Sequence, residues 1–267
     1  MTGTEHFWGA MGLSLFAGLA TGIGGAVAFF AKTTSTRLLS WALGLSGGVM
    51  VYISFVELLA GANAALRETL GTRAGAFAAI GAFFGGMLLS ALIDKMIPEV
   101  ENPHSIHTVE DLHQPHADRK ALGRAGLLFA LAIGIHNFPE GLATFAAGMN
   151  GWKLGLPIAL AIAVHNIPEG IAVSVPLFYG TGSRKKAFWY SALTGLAEPA
   201  GALVGYLLLR PFLTETVLQL TFATVAGVMV YITFDELLPM AHRYGHHHLT
   251  LYGLIAGMAV MAVCLAF

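Results

Sequence analysis

The sequence predicts an all-α integral membrane protein of eight transmembrane helices. Three observations predict it: a shortage of charge, eight separate apolar segments of spanning length, and no strand-like alternation. Of the 267 residues, 56% are apolar and only 11% charged, with a mean hydropathy of +0.70. Soluble domains carry roughly 25% charged residues. A chain this poor in charge cannot solvate a globular surface, so lipid must cover much of it. A helix needs about 20 mostly apolar residues to cross the hydrocarbon core. No segment shows the alternating pattern of a membrane β-barrel.

The segments run near residues 7–31, 38–60, 75–97, 123–148, 154–178, 187–209, 217–240 and 249–267. The first is too long for the apolar core of a signal peptide, and no positive residue precedes it, so it reads as a retained span. Glycine is abundant, at 33 residues, which suits helices whose backbones approach closely in lipid. Only the loop 98–121 is long enough to be a feature of its own, and residues 1–267 read as one transmembrane domain. The formal net charge of -1 gives no basic surface for nucleic acid. Cys264 is the only cysteine, which excludes disulfide scaffolds and paired-cysteine metal or redox sites.

Basic residues set the orientation. With eight spans, the loops after the first, third, fifth and seventh share a compartment and hold ten of the 14 Lys and Arg residues. The opposite loops hold Arg67, Arg73, Lys153 and Arg210. The excess marks the first set as cytoplasmic. Both termini then lie outside, which in a bacterial inner membrane is the periplasm.

An internal repeat adds a plan. Val49–Leu59 in the second segment and Val228–Leu238 in the seventh read VMVYISFVELL and VMVYITFDELL, identical at nine of eleven positions. Gly18-Leu19-Ala20 in the first segment is echoed by Gly195-Leu196-Ala197 in the sixth. Segments five apart cross in opposite directions. His136-Asn137-Phe138-Pro139-Glu140-Gly141 in the fourth segment recurs as His165-Asn166-Ile167-Pro168-Glu169-Gly170 in the fifth. The expected layout is three helices, a central pair, and three helices related to the first by inversion, with a substrate site at the repeat interface near mid-membrane.

The chemistry sits at that depth. A helix puts His136 and Glu140 on one face, one turn apart, and does the same for His165 and Glu169. Glu198, followed by Pro199, brings a third acid to the middle of the sixth segment. One ionisable group at the bilayer centre costs roughly 2.5–3.5 kcal/mol, and three close carboxylates repel one another. No Lys or Arg lies near the middle of any segment, so a divalent cation is the missing countercharge. Imidazole nitrogen with carboxylate and amide oxygen suits zinc, iron, manganese or cobalt better than calcium. Two ions could share Glu140 and Glu169. Pro139 and Pro168 deprive the carbonyls of Ile135 and Val164 of their helical donors; those groups either line a path or only mark a kink.

The two His-Asn-x-Pro-Glu-Gly motifs, the acid of the sixth segment and the eight-helix plan resemble the ZIP family of metal permeases, over essentially the whole chain. The resemblance implies import of divalent metals into the cytoplasm, chiefly zinc, with iron, manganese, cobalt and cadmium as further substrates. It also implies a central, often binuclear, site made by His136, Asn137, Glu140, His165, Asn166, Glu169 and Glu198. Some members carry Gln-Asp in place of the second His-Asn pair, and some add a thioether; neither the second metal nor Met50 is carried over.

By the orientation above, Glu57 falls near the outer end of the second segment, and Asp235 and Glu236 near the inner end of the seventh. They are candidate residues for capture at the entrance and release at the exit; the bland alternative is carboxylates that simply face water. His104, His107, His113 and His116 in the loop 98–121, and His242, His246, His247 and His248 after the seventh segment, form histidine-rich tracts that can bind metal or serve as polar loop. Small-residue faces such as Gly81, Gly85 and Gly86 can pack within the bundle or form a homodimer. The main rival is an intramembrane metal-dependent hydrolase, and the second a metal-gated channel or receptor. The inverted repeat and the acids at both faces argue against the first, and no HExxH or GxSxG motif is present.

Overall fold

The computed structural model describes residues 3–30, 35–96, 119–209 and 214–266. They form helices α1 (Gly3–Phe30), α2 (Thr36–Tyr52), α3 (Ala60–Leu70), α4 (Thr72–Met96), α5 (Arg119–Met149) and α6 (Trp152–Thr181). After these come α7 (Arg184–Gly195), α8 (Ala197–Leu209), α9 (Glu215–Ile232), α10 (Leu238–Arg243) and α11 (His247–Ala266). Two wider π-helical segments, Ile53–Leu59 and Thr233–Leu237, join α2 to α3 and α9 to α10 without a break. There is no strand among the described residues. Six helical runs are long and apolar enough to cross a membrane: 6–26, 36–70, 72–95, 152–175, 215–242 and 247–266. The helix α5 adds 31 residues, and α7 with α8 adds 12 and 13.

Helix starts follow local chemistry. Ser35, Ser183 and Thr214 each accept a hydrogen bond from the backbone N–H three residues on, at 3.3 Å, satisfying a donor the first helical turn leaves free. The second run differs from the apolar reading, which ends it near residue 60. It continues as α3 to Leu70, because Ala-Ala-Leu-Arg-Glu are strong helix formers even where hydropathy falls. Only Gly71 then separates it from α4, with φ of 89°, a conformation that favours glycine.

The sixth apolar segment is the one that breaks. It divides at Leu196 into α7 and α8. Pro199 has no N–H to offer the carbonyl of Gly195, four residues earlier. By contrast, α5 and α6 run through Pro139 and Pro168 uninterrupted.

Packing sorts the helices into two groups. One contains α1, α5, α6, α7 and α8; the other contains α2, α3, α4, α9, α10 and α11. They meet chiefly where α2 and α11 lie against α6 and where α9 lies against α5. Glycines make the crossings inside each group. A Cβ on Gly18 would run into the carbonyl of Gly195, and one on Gly195 into the carbonyl of Gly18, so the two echoed tripeptides touch. Gly86 of α4 packs on Thr224 of α9, whereas Gly81 and Gly85 have open space beside them.

Candidate metal site

All seven residues of the expected ligand set lie in the first helix group and are buried, none more than 2% exposed. The α5 motif supplies His136, Asn137 and Glu140, the α6 motif His165, Asn166 and Glu169, and the first turn of α8 supplies Glu198. Motif glycines set their spacing. A Cβ on Gly141 would strike the backbone of Glu198, and one on Gly170 the carbonyl of Thr21. Only bare glycine lets α8 and α1 come this close, and Gly141 thereby brings the α8 acid beside α5.

At the centre is Glu140. Its Oε1 lies 3.1 Å from His136 Nε2 and 3.2 Å from His165 Nε2. His136 Nε2 is also 3.8 Å from Glu169 Oε1. One ligating atom from each of His136, Glu140 and Glu169 can be chosen so that all three lie within 4.8 Å of one another. A zinc ion held at about 2.0–2.2 Å by nitrogen and oxygen fits a triangle of that size after small side-chain adjustments.

The partners left unmade decide what the cluster is for. Both ring nitrogens of His136 and of His165, and both oxygens of Glu140, lack a hydrogen-bond partner. The short His–Glu approaches are therefore not aligned hydrogen bonds. Oε2 of Glu169, Oε2 of Glu198 and the side-chain oxygens of Asn137 and Asn166 are unpaired as well. Buried polar atoms are nearly always satisfied, and leaving one unmade costs about 1–3 kcal/mol. So many lone pairs converging on one place is the pattern of a cation-binding site.

The remaining bonds hold the ligands in position. Asn137 Nδ2 donates to the carbonyl of Thr194 at 3.2 Å. Asn166 Nδ2 donates to the carbonyl of Ala17 at 2.9 Å and makes a short contact to Oε1 of Glu198. Ser46 on α2, which sequence reading passed over, approaches the carbonyl of His165 at 3.4 Å and Glu169 Oε1 at 3.5 Å. It is the one hydroxyl the second helix group offers to the cluster among these bonds.

A cavity opens from the cluster on one side. It is lined by His136 and Pro139 of α5, Ser90 and Asp94 of α4, and Tyr231 and Glu236. Ile135, whose carbonyl Pro139 deprives of a donor, also lines it. Glu236 thus lines the cavity, while Asp235 is exposed and is not among its lining residues. Asp94 was missed; an acid at the end of an apolar segment reads as an interfacial residue until packing sets it beside Glu236. Glu57 lines a separate cavity with Asn150, Leu154, Ile158 and Gln219. No residue of the ligand set borders that one. Its nearest α6 residue, Ile158, precedes His165 by seven positions, about 10 Å of helical rise. The fully buried Ile53 and Ile162 lie in the core between the levels of Glu57 and the cluster. Met50 is buried, and its sulfur accepts from Thr233 Oγ1 at 3.6 Å.

The loop histidines divide. His104, His107, His113 and His116 lie outside the described residues. His246, His247 and His248 stand at the turn into α11 and take no part in the buried cluster.

An all-helical bundle with apolar spans, whose centre gathers imidazoles and carboxylates, falls in the class of membrane proteins that handle metal ions. The profile of the ZIP zinc transporter family matches residues 94–265. The chain is 60% identical to zinc transporter ZupT of Akkermansia muciniphila over 264 residues, 98% of each chain. It is 57% identical to zinc transporter ZupT of Nitratidesulfovibrio vulgaris, over 96% of this chain and 95% of that one. The ZupT of Streptococcus mutans is 52% identical over 262 residues. The chain belongs to the ZIP zinc transporter family.

Proposed function

We propose that the protein is a permease that imports zinc, and with lower preference iron, manganese, cobalt or cadmium, through the buried cluster. The observation that carries this reading is the convergence of unpaired imidazole, carboxylate and carboxamide lone pairs around Glu140, at 1% exposure. The cation is substrate, and these groups replace its water. His136, Glu140, His165 and Glu169 form one position, and Asn137, Asn166 and Glu198 extend it towards a second, with Glu140 and Glu169 shared. High identity to proteins named zinc transporter supports zinc as the chief ion.

Eight spans complete the layout, with α5 and the pair α7–α8 as the fourth and sixth. Both termini lie outside a bacterial inner membrane, and residues 1–267 form one domain. The inverted plan draws support from the π segments. Ile53–Leu59 and Thr233–Leu237 occupy equivalent positions in the two copies of the repeat, and Glu57 and Glu236, equivalent residues, each line a cavity. In that orientation the Glu236 cavity opens to the cytoplasm, so the conformation is inward-facing. Glu57 captures metal outside; Glu236, with Asp235 beyond it, takes metal on release. Alternating access follows from motion of the ligand-bearing group α1 and α5–α8 against the other helices, because the contacts between groups are few in kind. A homodimer would use the open Gly81–Gly85 strip of α4.

A hydrolase needs one open metal position and a route for its substrate; separate cavities with equivalent acids suit a path. The test is radioactive zinc uptake into proteoliposomes. Saturable uptake by the wild type, lost in Glu140→Ala and His165→Ala, is expected. A wild type that moves no zinc, iron or manganese under pH gradients of either sign would overturn the reading. Normal uptake by the Glu57→Gln/Asp235→Asn/Glu236→Gln variant would remove the entrance and exit roles alone.

A further inference from the structure

We infer that His242 and His247 form a second transition-metal site, a two-imidazole clamp on the surface at the turn between α10 and α11. His242 lies in the last turn of α10, and its Nδ1 is 2.7 Å from the carbonyl oxygen of Leu238. A carbonyl only accepts, so Nδ1 carries the hydrogen. In the neutral ring Nε2 is then a bare lone pair, oriented as a metal-binding histidine is when its other nitrogen donates to a backbone carbonyl. His247 opens α11, with its ring centroid 4.8 Å from that of His242 and the planes inclined by 44°. Both residues are exposed. Two imidazoles on one zinc, at Zn–N distances of about 2.0–2.1 Å and tetrahedral angles, have ring centres roughly 5 Å apart. The observed spacing needs side-chain rotation to converge the lone pairs, without movement of the helices.

The turn is anchored from beneath. Gly245 takes a φ of 80°, and His246 Nε2 lies 3.2 Å from Thr36 Oγ1 at the start of α2. His246 is therefore engaged with α2 rather than free to ligate. His248 meets His247 edge to face, with centroids 5.5 Å apart and planes inclined by 67°, a geometry that aims no shared lone pair, and lies against Tyr252, with centroids 6.3 Å apart. Of the four histidines read after the seventh segment, His242, from the preceding helix, has its ring nearer to His247 than His248 has. Two nitrogen donors completed by water suit zinc, copper(II), nickel(II) or cobalt(II), and not magnesium or calcium. The pair shares no residue with the buried cluster, and its helices belong to the group that carries none of the ligand set. It stands whether or not the transport reading holds.

The test uses the purified full chain in lipid nanodiscs, dialysed to equilibrium against zinc, with zinc per chain counted by mass spectrometry. His242→Gln and His247→Gln should each lose one zinc equivalent relative to the wild type, and His248→Gln should lose none. Copper(II) paramagnetic resonance supplies the second reading, in a background with His104, His107, His113, His116, His136 and His165 all replaced by Ala, which removes the buried imidazoles and those of the loop 98–121. A two-nitrogen imidazole signal there, abolished by adding His242→Gln, is expected. Unchanged zinc counts in both glutamine variants, or no two-nitrogen signal in that background, would overturn the site and leave the rings as a stacked pair.

Discussion

Two copies of one six-residue motif face each other across the site, and they make different contacts. In the α5 copy, Glu140 lies between both imidazoles, at 3.1 and 3.2 Å, and Asn137 turns away to the carbonyl of Thr194. In the α6 copy, Glu169 lies 3.8 Å from one imidazole and is approached by Ser46, while Asn166 holds Glu198. Identical letters give the same local geometry, histidine and acid one turn apart on one face. What they meet is set by neighbours: α8 and α9 pack on α5, α2 and α11 pack on α6, and α1 and α7 touch both. The motif places the same side chains in both copies, and the helices packed on each copy decide what those side chains meet.

The largest test of that asymmetry is a pair of charge-neutral changes. Glu140→Gln removes the carboxylate common to both rings and should reduce zinc uptake at least ~100-fold, beyond the 10–100-fold typical of groups that only position a ligand. Glu169→Gln should leave measurable uptake, lower by ~10-fold on the same scale. Initial-rate uptake in proteoliposomes checks both. Equal losses would make the two copies equivalent and the site symmetric.

Next come the asparagines. Asn166→Ala frees Glu198, takes a carboxamide oxygen from the cluster, and should weaken zinc affinity by ~10-fold. Asn137→Ala should cost only a few-fold, since its donor reaches the carbonyl of Thr194 and no acid. Titration with zinc, read as the concentration for half-maximal uptake, separates them. The reverse order would put a second cation beside Asn137 rather than beside Glu198.

The glycines are where the copies should agree. Gly141→Ala and Gly170→Ala each place a methyl group against a neighbouring backbone, Glu198 in one case and Thr21 in the other. Overpacking of this kind costs roughly 1–3 kcal/mol, and thermal unfolding in detergent should show comparable losses for both. A much larger loss at Gly141 would mean that the α5–α8 crossing dominates the stability of the ligand-bearing group.

Much of this was legible in the chain. Six helical runs of spanning length follow from apolar length, and the seven candidate ligands, which the fold buries, were named from two repeated motifs and an acid of the sixth segment. What was not legible depends on neighbours or on local backbone choice. Val49–Leu59 and Val228–Leu238 announce a repeat, but nothing in their letters says that each widens into a π segment. Pro139 and Pro168 pointed to a path-lining carbonyl or a kink, and the helical break falls instead at Leu196, ahead of Pro199. Both motif prolines lie in helices that packing holds continuous, so a lost hydrogen bond alone did not decide. Ser46 and Asp94 carry no local signal, because a serine in an apolar helix is common and an acid at a helix end is ordinary. His242 was visible as a histidine, but its pairing with His247 requires the turn at Gly245.

Ser46 gives the smallest and most discriminating prediction. Its approaches to Glu169 and to the carbonyl of His165, at 3.5 and 3.4 Å, are beyond the usual hydrogen-bond length. Removing such a hydroxyl should cost under ~1 kcal/mol, so Ser46→Ala should change zinc uptake by less than about fivefold. It nonetheless belongs to the opposite helix group from Glu169, so the contact must break if the groups slide during transport. The loss should therefore appear in the balance between inward- and outward-facing forms rather than in zinc affinity of either. Accessibility of a cysteine placed at Ala62, in the Glu57 cavity, reports that balance. A small rise in its labelling with near-normal uptake is expected. A loss of uptake as deep as that of Glu169→Gln would instead make the Ser46 hydroxyl a ligand, and the α6 acid would then depend on a partner the α5 acid lacks.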